Sequence, residues 1–324
     1  MALAALVGAC ATGANRTGAA APAGAGPGAA ARADRREEPG ATGSPGSAGE
    51  TLSAEARTRA QLERALAEED LAALEPLLRA AEEQAPASSD ASGLWLLVAR
   101  GWRLRADALA GHKSQAPLEA ASGDSASDLL ARLSREASAC AAAAHHAWSA
   151  LLPGAAAAID AGQSPDAALA AAPAPAAEPL YLDALCSAAW ARAQGFTFFV
   201  EQRSLLGAEL ARAAALSPRL DDAGPERELG RLFAALPGYA GGDLAQARSH
   251  FEAAIAAAPA ALWNRVLYAR SLAIKAQDRA LFTRLLGEVL ESPASGANDR
   301  AAQDEARSLL ERADDLFGVA AVPH

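Results

Sequence analysis

Aromatic residues make up only 5% of this 324-residue chain, and methionine occurs once. Valine and isoleucine are scarce beside alanine, the best helix former. That composition excludes a fold built from alternating β-branched strands. Positive charge is in deficit: 29 Lys and Arg face 39 Asp and Glu, for a net charge of −10. No basic stripe is present, which excludes nucleic acid as a partner, because phosphates are held by clustered Lys and Arg. Long apolar runs are also missing. The longest uncharged stretch, 137–159, is mostly alanine, carries His145 and His146 and is broken by Pro153-Gly154. A membrane span needs about 20 predominantly apolar residues, so this stretch reads as a core helix and a loop.

Catalytic signatures are lacking too. There is no Gly-x-Ser-x-Gly, His-Glu-x-x-His or Cys-x-x-Cys, and no local spacing of Ser, His and Asp that suggests a triad. The acid pairs Asp221-Asp222 and Asp314-Asp315 cannot face each other on a helix, and read as caps and solvated faces. Cys140, His145 and His146 fall short of the three or four closely spaced ligands a metal needs. The expectation is a non-enzyme with no cofactor and no metal.

Cysteine is limited to Cys10, Cys140 and Cys186. The first ends the run "MALAALVGAC", where Val7-Gly8-Ala9-Cys10 looks like a bacterial lipobox with Cys10 as the lipidated residue. The positive n-region of a full signal is not seen, and the competing reading is an unstructured N-terminus. Residues 11–50, rich in Gly, Ala and Pro, bury too little to offset their ordering entropy and read as a flexible linker. Cys140 and Cys186 either form a disulfide in an oxidising compartment or remain buried thiols.

From 51 onward the pattern is helical. Leu62 and Leu66, then Leu71, Leu74 and Leu78, recur at three and four residues, and Asp70 is placed to cap the second helix. Further helices are predicted over 91–110, 126–152, 179–194, 197–216, 225–236, 242–257, 261–276, 279–291 and 297–317. Residues 153–178 read as a loop with a short helix near 165–171.

Pro259 and Pro293 lie 34 residues apart, the period of the tetratricopeptide repeat. Leu229-Gly230, Phe233, Ala247, Phe251, Ala254 and Pro259 follow that repeat, with five extra residues in the turn "LPGYAGGD". Gly241-Gly242-Asp243 is therefore read as a helix start, not a phosphate loop. A phosphate loop needs more glycines and a Lys after a strand, whereas Asp243 can accept from the first turn. The expected fold is an all-α, tetratricopeptide-like helical domain over 51–317, preceded by a signal (1–10) and the linker and followed by a tail (318–324).

The segments 229–256, 266–290 and 297–317 resemble the T component of tripartite ATP-independent periplasmic (TRAP) transporters. The matching residues are the turn Leu236, Pro237, Gly241, Gly242 and Asp243 with Ala247, the pair His250 and Phe251, Tyr268, Asp278 with Phe282, Asn298, and the terminal Asp315, Leu316 and Phe317. The segment after Pro218, "RLDDAGPEREL", departs from the family pattern. The resemblance implies an accessory periplasmic lipoprotein, lipid-anchored to the envelope at the outer membrane. It also implies binding to a periplasmic solute-binding protein, a groove for a hydrophobic small molecule, and homo-oligomerisation. A tetratricopeptide scaffold in envelope assembly is the alternative.

Aromatics concentrate at Trp148, Tyr181, Trp190, Phe196, Phe198 and Phe199. Of these, Trp148, Trp190, Phe196 and Phe199 are candidates for a ligand or partner surface, against the alternative that they fill an alanine-rich core. Tyr239, at the tip of the long turn, is the other candidate interface residue.

Overall fold

The computed structural model describes residues 53–110 and 124–318. The lipobox at Cys10, the 11–50 linker and the tail from 319 lie outside the described residues. Every regular element described is helical: α1 (Ala54–Ala67), α2 (Leu71–Gln84), α3 (Ala91–Ala110), α4 (Asp124–Leu151), α5 (Pro153–Asp160), α6 (Pro165–Leu169), α7 (Ala177–Gln194), α8 (Phe196–Leu216), α9 (Gly224–Ala235), α10 (Leu244–Ala257), α11 (Leu262–Tyr268), α12 (Arg279–Glu291), α13 (Ala297–Glu311) and α14 (Ala313–Phe317). The protein is all-α.

Helix starts follow local chemistry. Ser53 Oγ accepts from Ala56 N, and Asp70 Oδ1 accepts from Ala72 N and Ala73 N, so donors with no intrahelical partner are satisfied. The turn that opened the repeat argument behaves the same way. Asp243 Oδ1 accepts from Ala245 N at 2.8 Å and Gln246 N at 3.0 Å. Gly241 has φ +93, and a Cβ on Gly242 would sit 1.9 Å from the Leu236 carbonyl oxygen. Both positions therefore require glycine.

Three expectations are corrected. Residues 153–160 are helical: Pro153 is the first helical residue of α5, where its missing N–H costs nothing, so the Pro-Gly pair starts an element. The helix expected over 261–276 changes to a π-helical turn at Ala269–Ala273. The one expected over 297–317 divides at Arg312.

Helices pack mainly on their neighbours in the chain: α1 on α2, α2 on α3, α3 on α4, α7 on α8, α8 on α9, α9 on α10, α12 on α13. The small side chains allow close approach. A Cβ at Gly101 of α3 would lie 2.5 Å from Leu78 Cδ2 of α2, and one at Gly230 of α9 2.8 Å from the Phe251 ring of α10. The most extensive packing outside the sequential order is that of α4 on α7. There the disulfide Cys140–Cys186 joins the two helices, with Cα atoms 5.9 Å apart. The choice left open by the sequence is thus resolved as a bridge. From Leu180 to Cys186, every residue of α7 is buried, as befits a helix enclosed on all sides.

Two apolar cores result. The larger gathers Leu62, Leu74, Leu94, Trp148, Leu180, Phe199 and Leu206. The smaller gathers Phe251, Val266, Tyr268, Phe282, Leu286 and Leu309. Helix α9 belongs to both, contributing Leu229 and Leu232 to the first and Ala234 to the second.

Candidate functional site

A cleft of about 970 Å³ opens against α3, α7, α9 and α11. Its wall draws Arg103 from α3, Tyr181 and Leu185 from α7, Arg227, Glu228 and Arg231 from α9, and Leu262, Trp263 and Leu267 from α11. Residues from both cores therefore face one recess, within the usual size range of small-molecule sites.

The cleft is bounded on one side by an unusual turn. Asp221, Asp222 and Ala223 have φ of 48, 55 and 64, three consecutive left-handed residues without a glycine. Such conformations cost about 1 kcal/mol or more each and persist only where the surroundings over-determine them. Here they do. The Tyr181 hydroxyl donates to Asp221 Oδ2 at 2.5 Å. Arg227 donates from Nη2 to Asp221 Oδ2 at 3.0 Å and from Nη1 to the Asp221 carbonyl at 3.3 Å. Asn264 Nδ2 donates to the Asp222 carbonyl at 3.0 Å, and Arg227 Nη1 donates to Asn264 Oδ1 at 3.0 Å. A Cβ at Gly224 would come within 2.4 Å of the Tyr181 hydroxyl oxygen, so the turn must pass on with a glycine. Asp221, read from the sequence as a cap or solvated acid, is instead the anchor of this network.

Glu228 is 6% exposed. It accepts from Arg231 Nη1 at 2.9 and 3.0 Å, with Arg227 Nε 3.7 Å away. Burial opposes its charge, but Arg231, Arg227 and Arg192 outweigh burial and hold the carboxyl below its ordinary range. Burial pushes the Tyr181 phenol well above its ordinary value, and the charges of Asp221 and Glu228 add to that against Arg227 and Arg103. Arg192 lies in a small recess beside Glu228. Among the described residues no carboxylate is within ion-pair distance of it, and its guanidinium sits 5.2 Å from the Phe199 ring centre.

A second polar cluster lies between α4, α7 and α8. Asp183, 4% exposed, accepts from Trp148 Nε1 at 2.7 Å and from Ser187 Oγ at 2.9 Å, with His145 Nδ1 at 3.2 Å. Glu209 is fully buried. Burial and the neighbouring charge of Asp183 raise its carboxyl well above its ordinary value. Burial disfavours the His145 imidazolium, but the hydrogen bond to Asp183 and the charges of Asp183 and Asp160 leave its pKa raised.

The candidate surface residues separate. Trp148 is fully buried and Phe199 is 3% exposed, so of the two readings the core one holds for both and the surface one does not, the apolar packing of α4 and α8 having enclosed them. Trp190 is half-buried and packs edge-on against Phe198, 5.1 Å between ring centres. Phe196 and Tyr239 are exposed, Tyr239 at 88%. None of these five lines the central cleft.

The residues that carry the resemblance hold the C-terminal half together. His250 Nδ1 lies 2.7 Å from Glu226 Oε2, and its ring stacks on Phe233. Phe251 stacks on Tyr268, whose phenol burial pushes up to about 12. Asp278 caps α12, Phe282 packs on Phe317, and Asn298 Oδ1 accepts from Trp263 Nε1 at 2.9 Å. Ala247 and Leu236 are buried, whereas Asp315 is exposed and Pro237 and Leu316 are half-buried. Of this set, Asn298 is the residue that lines the cleft, where it meets Trp263.

Sequence reasoning missed Arg103, Arg227, Glu228 and Arg231. The one local signal was "GPERELGR", where Arg227 and Arg231, four apart, share a helix face with the intervening Glu228 close by. Among curated proteins, none matches the chain. The family described as TRAP transporter T-component matches residues 72–317, taking in the smaller core, the larger core apart from Leu62 and Ala65, and the cleft wall except Glu69 and Leu71. With that match over most of its length, the chain belongs to the TRAP transporter T-component family.

Proposed function

We propose that this chain, an accessory component of TRAP transport, acts without covalent chemistry as a tethered binding module. Lipid on Cys10 and the 11–50 linker would hold the helical body at the outer membrane, on its periplasmic side. The body would engage the transporter's solute-binding protein and present its cleft to the solute. The observation that carries this reading is the cleft of about 970 Å³, walled by helices from both cores and bounded by a strained, over-determined turn. The Cys140–Cys186 bridge supports an oxidising compartment. Exposed Tyr239 and Phe196 give the body aromatic contact points of the kind enriched at interfaces.

The test is affinity capture from envelopes solubilised under mild conditions, with and without Cys10→Ser. Recovery of a solute-binding protein, and loss of fatty-acid labelling in Cys10→Ser, support the reading. Failure to recover any such protein from labelled envelopes removes the transport partner.

A further inference from the structure

Glu209, on α8, is fully buried, and among the described residues nothing donates a hydrogen bond to either of its carboxyl oxygens. An ionised carboxylate only accepts, so a charge there would be buried without compensation. The polar group against it is a second carboxyl, that of Asp183 on α7. Two acceptors in contact form a bond only when one of them holds a proton. The surrounding donors decide which one. Asp183 Oδ2 accepts from Trp148 Nε1 and His145 Nδ1, and Asp183 Oδ1 accepts from Ser187 Oγ. Of the roughly four lone-pair positions of a carboxylate, one is left, on Oδ1. Asp183 is therefore the ionised partner, and Glu209 keeps its proton and donates it to that last position. Two carboxyls that meet away from water share one proton, because both cannot be charged there.

The other ionisable groups around α8 bring Glu209 no countercharge. Arg212, three residues along the same helix, donates to the Ala172 carbonyl instead. Asp166 of α6 is exposed. On α9, Glu228 and Arg231 pair with each other at the cleft. His146 and Asp160 bear on the His145 side of Asp183. His145 itself answers pH without letting go: its Nδ1 faces an acceptor, so that nitrogen keeps its hydrogen whether or not Nε2 is protonated. The disulfide decides which helix can yield. Cys186, three residues beyond Asp183 on α7, is bonded to Cys140 on α4. Helices α4 and α7 are thus one covalent unit, whereas α8 contains no cysteine and meets that unit at the Asp183–Glu209 contact.

We propose that Glu209 is a proton-held latch: with its proton it fastens α8 to the disulfide-linked pair α4 and α7, and without it α8 is released. Loss of the proton sets two carboxylates against each other in the core, and α8 is the helix free to move away. The direction is release as pH rises. Folded Glu209 gives up its proton at higher pH than in the open chain, so the latch is fully engaged below 4.5 and its hold fades as pH rises toward the folded value.

The test follows amide exchange of the oxidised full chain by mass spectrometry from about pH 5 to about pH 9, corrected for the base catalysis of exchange itself. Opening of 196–216 should grow by up to about tenfold per pH unit, the equivalent of one proton, while 124–151 and 177–194 open less. Glu209→Gln, which can donate from Nε2 to Asp183 with no proton to lose, should flatten that dependence. His145→Gln should leave it in place. The infrared spectrum of the parent at neutral pH should show the carbonyl stretch of an un-ionised carboxyl, and Glu209→Gln should lack it. The parent spectrum needs no variant, so it decides the matter even where a variant fails to fold. No such band in the parent, a pH dependence unchanged in Glu209→Gln or abolished in His145→Gln, or equal opening of α4, α7 and α8 would each overturn the proposal.

Discussion

The Tyr181 hydroxyl and the Asp221 carboxylate, 40 residues apart in sequence, meet at 2.5 Å and lock a left-handed turn against α7. Removing that hydroxyl leaves Arg227, among the described residues, as the side chain holding Asp221. Tyr181→Phe should cost about 1.5–3 kcal/mol, the range for a hydrogen bond to a charged group. It should also raise amide exchange at 221–224 well before global unfolding. Denaturant titration with exchange mass spectrometry checks both, and unchanged exchange at the turn would show that the phenol does not hold it.

Glu209 and His145 give stability a direction with pH. Each holds its proton more firmly folded than unfolded. Glu209 therefore contributes fully below its ordinary value of 4.5, and its contribution is lost as pH rises toward the folded value. His145 behaves likewise above 6.5. His146, lowered first by burial and then by His145, runs the other way and loses its contribution as pH falls below 6.5. For the fully buried Glu209 a net difference of one proton is worth about 1.4 kcal/mol per pH unit, and for the solvent-screened histidines it is less. Glu209→Gln should therefore flatten the fall in stability above pH 5 and be the more stable protein at pH 8. Parallel curves for parent and variant would refute a buried protonated carboxyl.

The bridge between α4 and α7 should show in the oxidised protein alone. Cys186→Ala, or reduction of the parent, should lower stability by about 2–4 kcal/mol, the usual range for a disulfide closing a loop of this order. Thiol counting in denaturant should find neither Cys140 nor Cys186 reactive before reduction.

Two glycines in one turn offer a matched comparison. Gly242→Ala drives a Cβ into the Leu236 carbonyl and should destabilise by several kcal/mol or rearrange the start of α10. Gly238→Ala meets nothing within 4 Å and should fall within about 0.5 kcal/mol of the parent. Similar melting temperatures for the two would mean the turn is free to open.

Much of this architecture was legible in the chain because its cues are local. Leucines at three and four residues announced α2, and Asp70 and Asp243 announced caps that the hydrogen bonds bear out. The motif from Leu229 to Phe317 led to the right family. What escaped depends on distance or on context. Pro153 looked like a breaker because a proline at the first helical position and one in a loop read alike. Whether Trp148 and Phe199 line a groove or fill the core stayed open in the sequence, because burial is a property of the helices around them. Asp221 looked solvated because its partners, Tyr181 and Arg227, come from two different helices, and because no glycine marks the left-handed turn. The cleft wall collects Arg103, Tyr181, Arg231 and Trp263 from four helices, and no spacing in one segment announces such a set.

Helix α9 sends Leu229 and Leu232 into one core and Ala234 into the other, while Arg227, Glu228 and Arg231 on the same short helix face the cleft. A rod shared in this way cannot tilt without both packing layers answering. A substitution that shifts α9 in either core therefore shifts its charged residues at the recess as well.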